Sequence, residues 1–160
     1  MTVRDHVYDA IKDKFFAGGL TYSGHPLACA AGVASIGIFR EEGVVENSAA
    51  MGAYLADRLP ELAERHPSIG EVRGLGLFWG LELVRNRETR EPLVPFNAGG
   101  EAAEPMTRIT KACLERGLYP FAHWNVLAIT PPLNITRDEL DEGLAVLDDV
   151  LSIADEYSTA

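Results

Sequence analysis

Apolar residues recur four apart at Val7, Ile11 and Phe15 and predict a short amphipathic helix over 5–15. The Gly18-Gly19 pair ends it. A hydroxyl-rich knot follows, Thr21-Tyr22-Ser23-Gly24, inside the longer stretch FAGGLTYSGHPLACAAGVASIGIF that begins at Phe16. Pro26 suits the first position of a second helix, where its missing N–H is not needed. That helix is predicted to run to about Glu42, with Gly43 as its left-handed cap. Met51, Leu55, Leu59 and Leu62 share one stripe of a third helix over 44–65. Pro60 is expected to kink or divide it, and Pro67 closes the segment.

The period then changes. Leu75, Leu77, Trp79, Leu81 and Leu83 alternate with other residues, which predicts two strands, or one bent strand, within IGEVRGLGLFWGLELV at 69–84. Gly74, Gly76 and Gly80 in that run imply a bulge or close backbone contact. Residues 85–104 read as a loop rich in charge, Pro and Gly. A helix over 105–116 presents Ile109, Ala112 and Cys113, and two short strands follow within 117–121 and 125–133. Thr136 and Glu139 have the spacing of a capping box, and Leu140, Leu144, Leu147 and Leu151 give the last helix its buried stripe. The order implies an α+β layout in which helices cover one side of a small sheet.

Composition narrows the function classes. The 160 residues are 47% hydrophobic and 24% charged, enough for one packed core and too apolar for a disordered chain. The net charge of −10, with no basic stripe, argues against binding nucleic-acid phosphates. No apolar run is long enough to span a bilayer, and MTVRDHVYDAIKDK lacks a signal-peptide core. The expected setting is soluble and cytoplasmic. Cys29 and Cys113 read as buried reduced thiols, with a disulfide as the alternative. His6, His25, His66 and His123 have no metal-ligand spacing.

Most candidate chemistry dissolves on inspection. The carboxylate groups at 41–42, 138–142 and 148–149 lie on helix faces and read as solvated. RGLGLFWG has the look of a phosphate loop but sits within a strand pattern and precedes no helix. No serine lies in a G-x-S-x-G elbow. The knot remains. A helix N-terminus offers unpaired N–H groups and the positive end of a dipole, and Thr21, Tyr22 and Ser23 add hydroxyls beside it. Two readings stay open: the knot binds a phosphate, or it only caps the helix that starts at Pro26.

At this point the residues resemble a family. GGLTYSGHPLACAAG at 18–32 is similar to the segment that follows the lysine motif of class III aminotransferases, enzymes of pyridoxal-phosphate fold type I. IGEVRGLGLFWGLELV resembles the family's V-R-G-x-G-L strand pair, RETREPLVPFN at 87–97 its following insertion, and ITPPLNIT at 129–136 its Pro-Pro turn before a terminal helix. The motifs cover nearly the whole chain in the family's order and lean toward aspartate or taurine–pyruvate-like members.

The resemblance implies a fold and an activity. Residues 1–43 would be the end of the large cofactor-binding domain, with long helices. Residues 44–160 would be the C-terminal small domain. The cofactor would be pyridoxal 5'-phosphate, with Thr21 and Tyr22 as its binding residues here, Thr21 reaching the phosphate held by the neighbouring subunit of a homodimer. The reaction would move an amino group from an amino acid or amine to a keto acid such as pyruvate. The alternative is a non-catalytic dimerisation or binding domain derived from a transaminase. The family's lysine motif is missing: the chain's lysines are Lys12, Lys14 and Lys111, so no catalytic residue is assigned and the chain alone is expected to be inactive. Many relatives also carry an arginine where Ala128 stands, so an arginine contact to a substrate carboxylate is not expected from that strand.

Overall fold

The computed structural model describes residues 3–15 and 18–159. The chain divides into two compact units, Met1–Ile38 and Phe39–Ala160. The fold is α+β.

In the first unit, α1 spans Asp5–Ile11. It stops short of the expected Phe15, which is exposed. A seven-residue helix that buries no residue has no packing to extend it. Phe16 and Ala17, the first residues of the quoted stretch, lie outside the described residues. Helix α2 spans Pro26–Glu41, in agreement with the proline start, and also buries none of its residues. Cys29 is therefore exposed, against the expectation of a buried thiol, and both cysteines are free.

The second unit is built on α3, Val44–Arg65. The helix runs unbroken through Pro60, so the expected division is absent. Proline removes one backbone hydrogen bond, whereas Leu55, Leu59 and Leu62 are buried on both sides of it and hold the helix to the core. The apolar alternation resolves as two antiparallel strands, β1 at Ile69–Leu75 and β2 at Phe78–Asn86. Gly76 opens the two-residue turn between them at φ 55°, a conformation that costs glycine little. Inside the expected loop, β3 at Glu91–Pro92 pairs with β2, and Leu93 and Val94 turn into the core.

Helix α4 spans Glu104–Glu115 and buries Ile109 and Cys113. Burial also pushes the Cys113 thiol up, away from the reactive thiolate. The next strand, β4, lies at Phe121–His123, later than expected. Gly117 is used instead to end α4, at φ 82° with Leu118 N donating to the Cys113 carbonyl. Strand β5 spans Val126–Ile129, and α5 spans Arg137–Asp155. The capping box of α5 is present: Glu139 N donates to Thr136 Oγ1 at 3.3 Å, and Thr136 N donates to Glu139 Oε2 at 2.8 Å. The donations from Thr136 N and from Thr136 Oγ1 to that carboxylate hold it below its usual range.

The strands run β1-β2-β5-β4, with β3 beside β2. Val72, Leu81, Leu127 and Ala122 form one row across the sheet and pack toward the buried leucines of α3 and α5. The next row is Arg73, Gly80, Ala128 and Phe121 on the opposite face, where Arg73 pairs with Glu82 at 2.7 Å.

Two long-range fastenings complete the unit. Asn47 Nδ2 donates to the carbonyls of Leu133 and Ile135, at 2.7 and 3.0 Å, and straps the Pro-Pro turn to the start of α3. The Arg87 guanidinium donates to the carbonyls of Ala63 in the last turn of α3, of His66 just after it and of Ile69 at the start of β1, and so ties the helix end to the sheet.

Helix α3 also touches the hairpin tip backbone to backbone. A Cβ on Gly52 would lie 2.6 Å from the Gly76 carbonyl oxygen. Gly52→Ala is expected to lower stability by about 1–3 kcal/mol through overpacking, despite alanine's better helix propensity. Gly143 on α5 is the control, since a Cβ there meets only Leu118 Cδ1 at 3.8 Å. Gly143→Ala should gain about 0.5–1 kcal/mol. Urea unfolding of both variants checks the opposite signs.

Candidate functional site

The knot before α2 is a pair of interlocked turns. Ser23 N donates to the Leu20 carbonyl at 2.9 Å, and His25 N donates to the Tyr22 carbonyl at 3.1 Å. Gly24 takes φ 70° between them. Leu20 N donates to Ser23 Oγ at 3.3 Å, so the oxygen of one of the three hydroxyls closes the turn while its O–H stays a donor. The Tyr22 ring lies 5.5 Å from the His25 ring, tilted 51°. Thr21 and Tyr22 are exposed, and Tyr22 keeps 75% of its surface.

Cys29 N donates to the His25 carbonyl at 2.9 Å, which places His25 at the head of the helix. Among the described residues, no hydroxyl of Thr21, Tyr22 or Ser23 accepts from an N–H of α2. The N–H groups of Leu27 and Ala28 belong to the first helical turn, where no intrahelical acceptor exists. The knot therefore presents the Thr21 and Tyr22 hydroxyls, and the O–H of Ser23, next to a positive helix end. That donor set fits one edge of a phosphate dianion. It does not fit a whole cofactor site, because among the described residues no buried lysine or paired carboxylate accompanies it. Lys12 pairs with Asp9 at 2.9 Å, and Lys111 stands exposed on α4 beside Glu115.

The glycine run RGLGLFWG is not a ligand loop. Trp79 Nε1 donates to the Gly76 carbonyl at 2.7 Å, and its ring covers Gly74 so closely that a Cβ there would lie 2.6 Å from Cγ. Ala128 is half-buried mid-strand between Gly80 and Phe121. Sequence reasoning did not find the polar cluster of His66, Ser68, Asp148 and Asp155, in which two buried residues of the α3–β1 connection meet two aspartates of α5. Among the described residues no group of His, Cys, Asp and Glu could hold a metal, and no helix is long and apolar enough to cross a membrane.

Comparison with known proteins places this fold and turn in a class. The model of the class III aminotransferases matches residues 1–151, and the chain belongs to that family. It is 38% identical over 144 residues to putrescine–pyruvate aminotransferase of Pseudomonas aeruginosa, covering 89% of this chain and 30% of that protein. It is 37% identical over 140 residues to isoleucine 2-epimerase of Lentilactobacillus buchneri, covering 82% of this chain and 28% of the relative. Taurine:2-oxoglutarate aminotransferase from Bifidobacterium kashiwanohense, solved with PLP and glutamate, superposes with a TM-score of 0.86 at 38% identity. That match covers 95% of this chain and 33% of the other. The chain spans about a third of the length of these relatives.

Because the Thr21 hydroxyl closes no turn and caps no helix, Thr21→Val is expected to leave the melting temperature of the chain unchanged, within about 0.5 kcal/mol. Ser23→Ala should lower it slightly, through the lost bond from Leu20 N. Calorimetry on the two variants checks the contrast.

Proposed function

We propose that this chain forms the C-terminal part of a pyridoxal-phosphate-dependent aminotransferase, one that passes an amino group from an amino acid or amine to a keto acid such as pyruvate. The carrying observation is the Thr21–Gly24 turn, with hydroxyls unspent on structure beside the first turn of α2. Thr21 would hold the cofactor phosphate, with Tyr22 beside it. When bound, pyridoxal phosphate supplies the electron-withdrawing ring that amino-group transfer requires. The chain's own contribution is to anchor and orient, through a hydrogen bond to a charged oxygen and the dipole of α2. Residues 1–43 would belong to the large domain and 44–160 to the small one. The setting would be cytoplasmic.

A homodimer fits the same reading. Leu20, Leu27, Val33 and Ile36 keep 78%, 75%, 72% and 60% of their surface exposed. Apolar residues exposed in such a group favour association. The expected outcome is self-association of the chain, measured by sedimentation velocity at several concentrations. A strictly monomeric species at high concentration counts against it.

Two further outcomes follow from the site. The 160-residue chain should form no alanine from pyruvate and an amine in the presence of pyridoxal phosphate, because none of its lysines lies in the family's motif. In an enzyme that carries this segment in full, Thr21→Val should weaken cofactor retention roughly ten- to a hundredfold. A hydrogen bond to a charged group contributes about 1.5–3 kcal/mol, and about 1.4 kcal/mol is tenfold. Thr21→Ser should lose much less. Equal cofactor affinity in Thr21→Val would remove the phosphate role.

A further inference from the structure

We propose that His66, Asp148 and Asp155 form a proton-operated clamp that fastens the end of α3 to the C-terminal half of α5. His66 keeps 7% of its surface exposed. Its Nδ1 lies 2.7 Å from Asp155 Oδ2, and its Nε2 lies 2.9 Å from Asp148 Oδ1. Carboxylates only accept, so both contacts are hydrogen bonds only when both ring nitrogens carry protons. A ring with one proton turns a lone pair toward one of the two carboxylates.

The surroundings fix those carboxylates in place. Ser68 donates to Asp155 Oδ1 twice, from Oγ at 2.6 Å and from N at 3.2 Å. Arg65 Nε donates to Asp148 Oδ1 at 3.0 Å. The charged groups around the ring are thus Arg65 from α3, Asp148 and Asp155 from α5, and Arg87 from the segment after β2. Arg65 bears on Asp148, and Arg87 bears on backbone carbonyls, including that of His66 itself. The ring's own contacts are both anionic.

The clamp has an acid limit and an alkaline limit. The His66 hydrogen bond, with help from Arg65 and against some burial, holds the Asp148 carboxyl below its usual range. A carboxyl lowered in the folded state stabilises above its unfolded value, about 3.9, and loses that contribution as pH falls through the folded value. On the alkaline side one of the two bonds disappears when the ring gives up a proton. Imidazoles change charge between about pH 5 and 8, which sets the range to be scanned.

The test uses the 160-residue chain. Nitrogen-15 NMR of the His66 ring, followed across that scan, should show the number of protonated ring nitrogens and the melting temperature of the unsubstituted chain falling together. The melting-temperature advantage over His66→Gln, whose side chain cannot carry a charge, should fall at least about two-fold across the same scan. A melting temperature that does not follow the protonation of the ring, or an advantage that does not change with pH, overturns the clamp. The NMR reading needs only the unsubstituted chain, so failure of His66→Gln to fold leaves the test standing.

Discussion

Helix α3 lies on the tip of the β1–β2 hairpin at backbone distance, and the second unit is arranged around that approach. Gly52 contributes no side chain from the helix, and Gly76 contributes none from the turn. With the tip seated, Trp79 folds back over Gly74 and bonds the Gly76 carbonyl. The row from Val72 to Ala122 then faces the leucines of α3 and α5. A methyl group at Gly52 has to move main chain rather than a flexible side chain, and packed interiors resist that; at Gly76 it would meet Ser48 Oγ at 3.2 Å and sit at a φ that side chains disfavour.

What the sequence reveals and what it hides separate by range. The helix starts at Pro26, Val44 and Thr136 are legible because each is written within a few residues, as a proline, a glycine or a capping box. The stripe on α3 is legible because 3.6-residue periodicity is local. The hairpin from β4 to β5 is not, because its turn places Trp124 at φ 50°, and a tryptophan carries no turn signal. That conformation stands because Asn125 bonds Leu83 through both its backbone and its side chain. Leu93 and Val94 read as loop because the residues around them are polar, proline or glycine, yet both are buried. The continuity of α3 through Pro60 depends on leucines whose partners lie far along the chain.

The candidate site divides in the same way. The order of turn residues before α2 is plain in the sequence and carries the family likeness. Which hydroxyl is spent and which is free is a matter of three dimensions: Ser23 bonds Leu20, and Thr21 does not close the turn. The reaction itself is less local still. A transaminase and an epimerase share this stretch at nearly equal identity, so the residues that separate their chemistries are not legible from overall likeness in this third of the fold.

The strap at Asn47 has a chemical consequence. One amide nitrogen spends both of its hydrogens on two carbonyls of the Pro-Pro turn, a pattern that no hydroxyl or carboxylate can copy. Hydrolysis of that amide would leave the side chain almost unchanged in shape while replacing two donors with an anion facing two acceptors. The attachment of the turn to α3 is thus vulnerable to ageing of a single side chain, a form of damage that leaves every buried leucine in place.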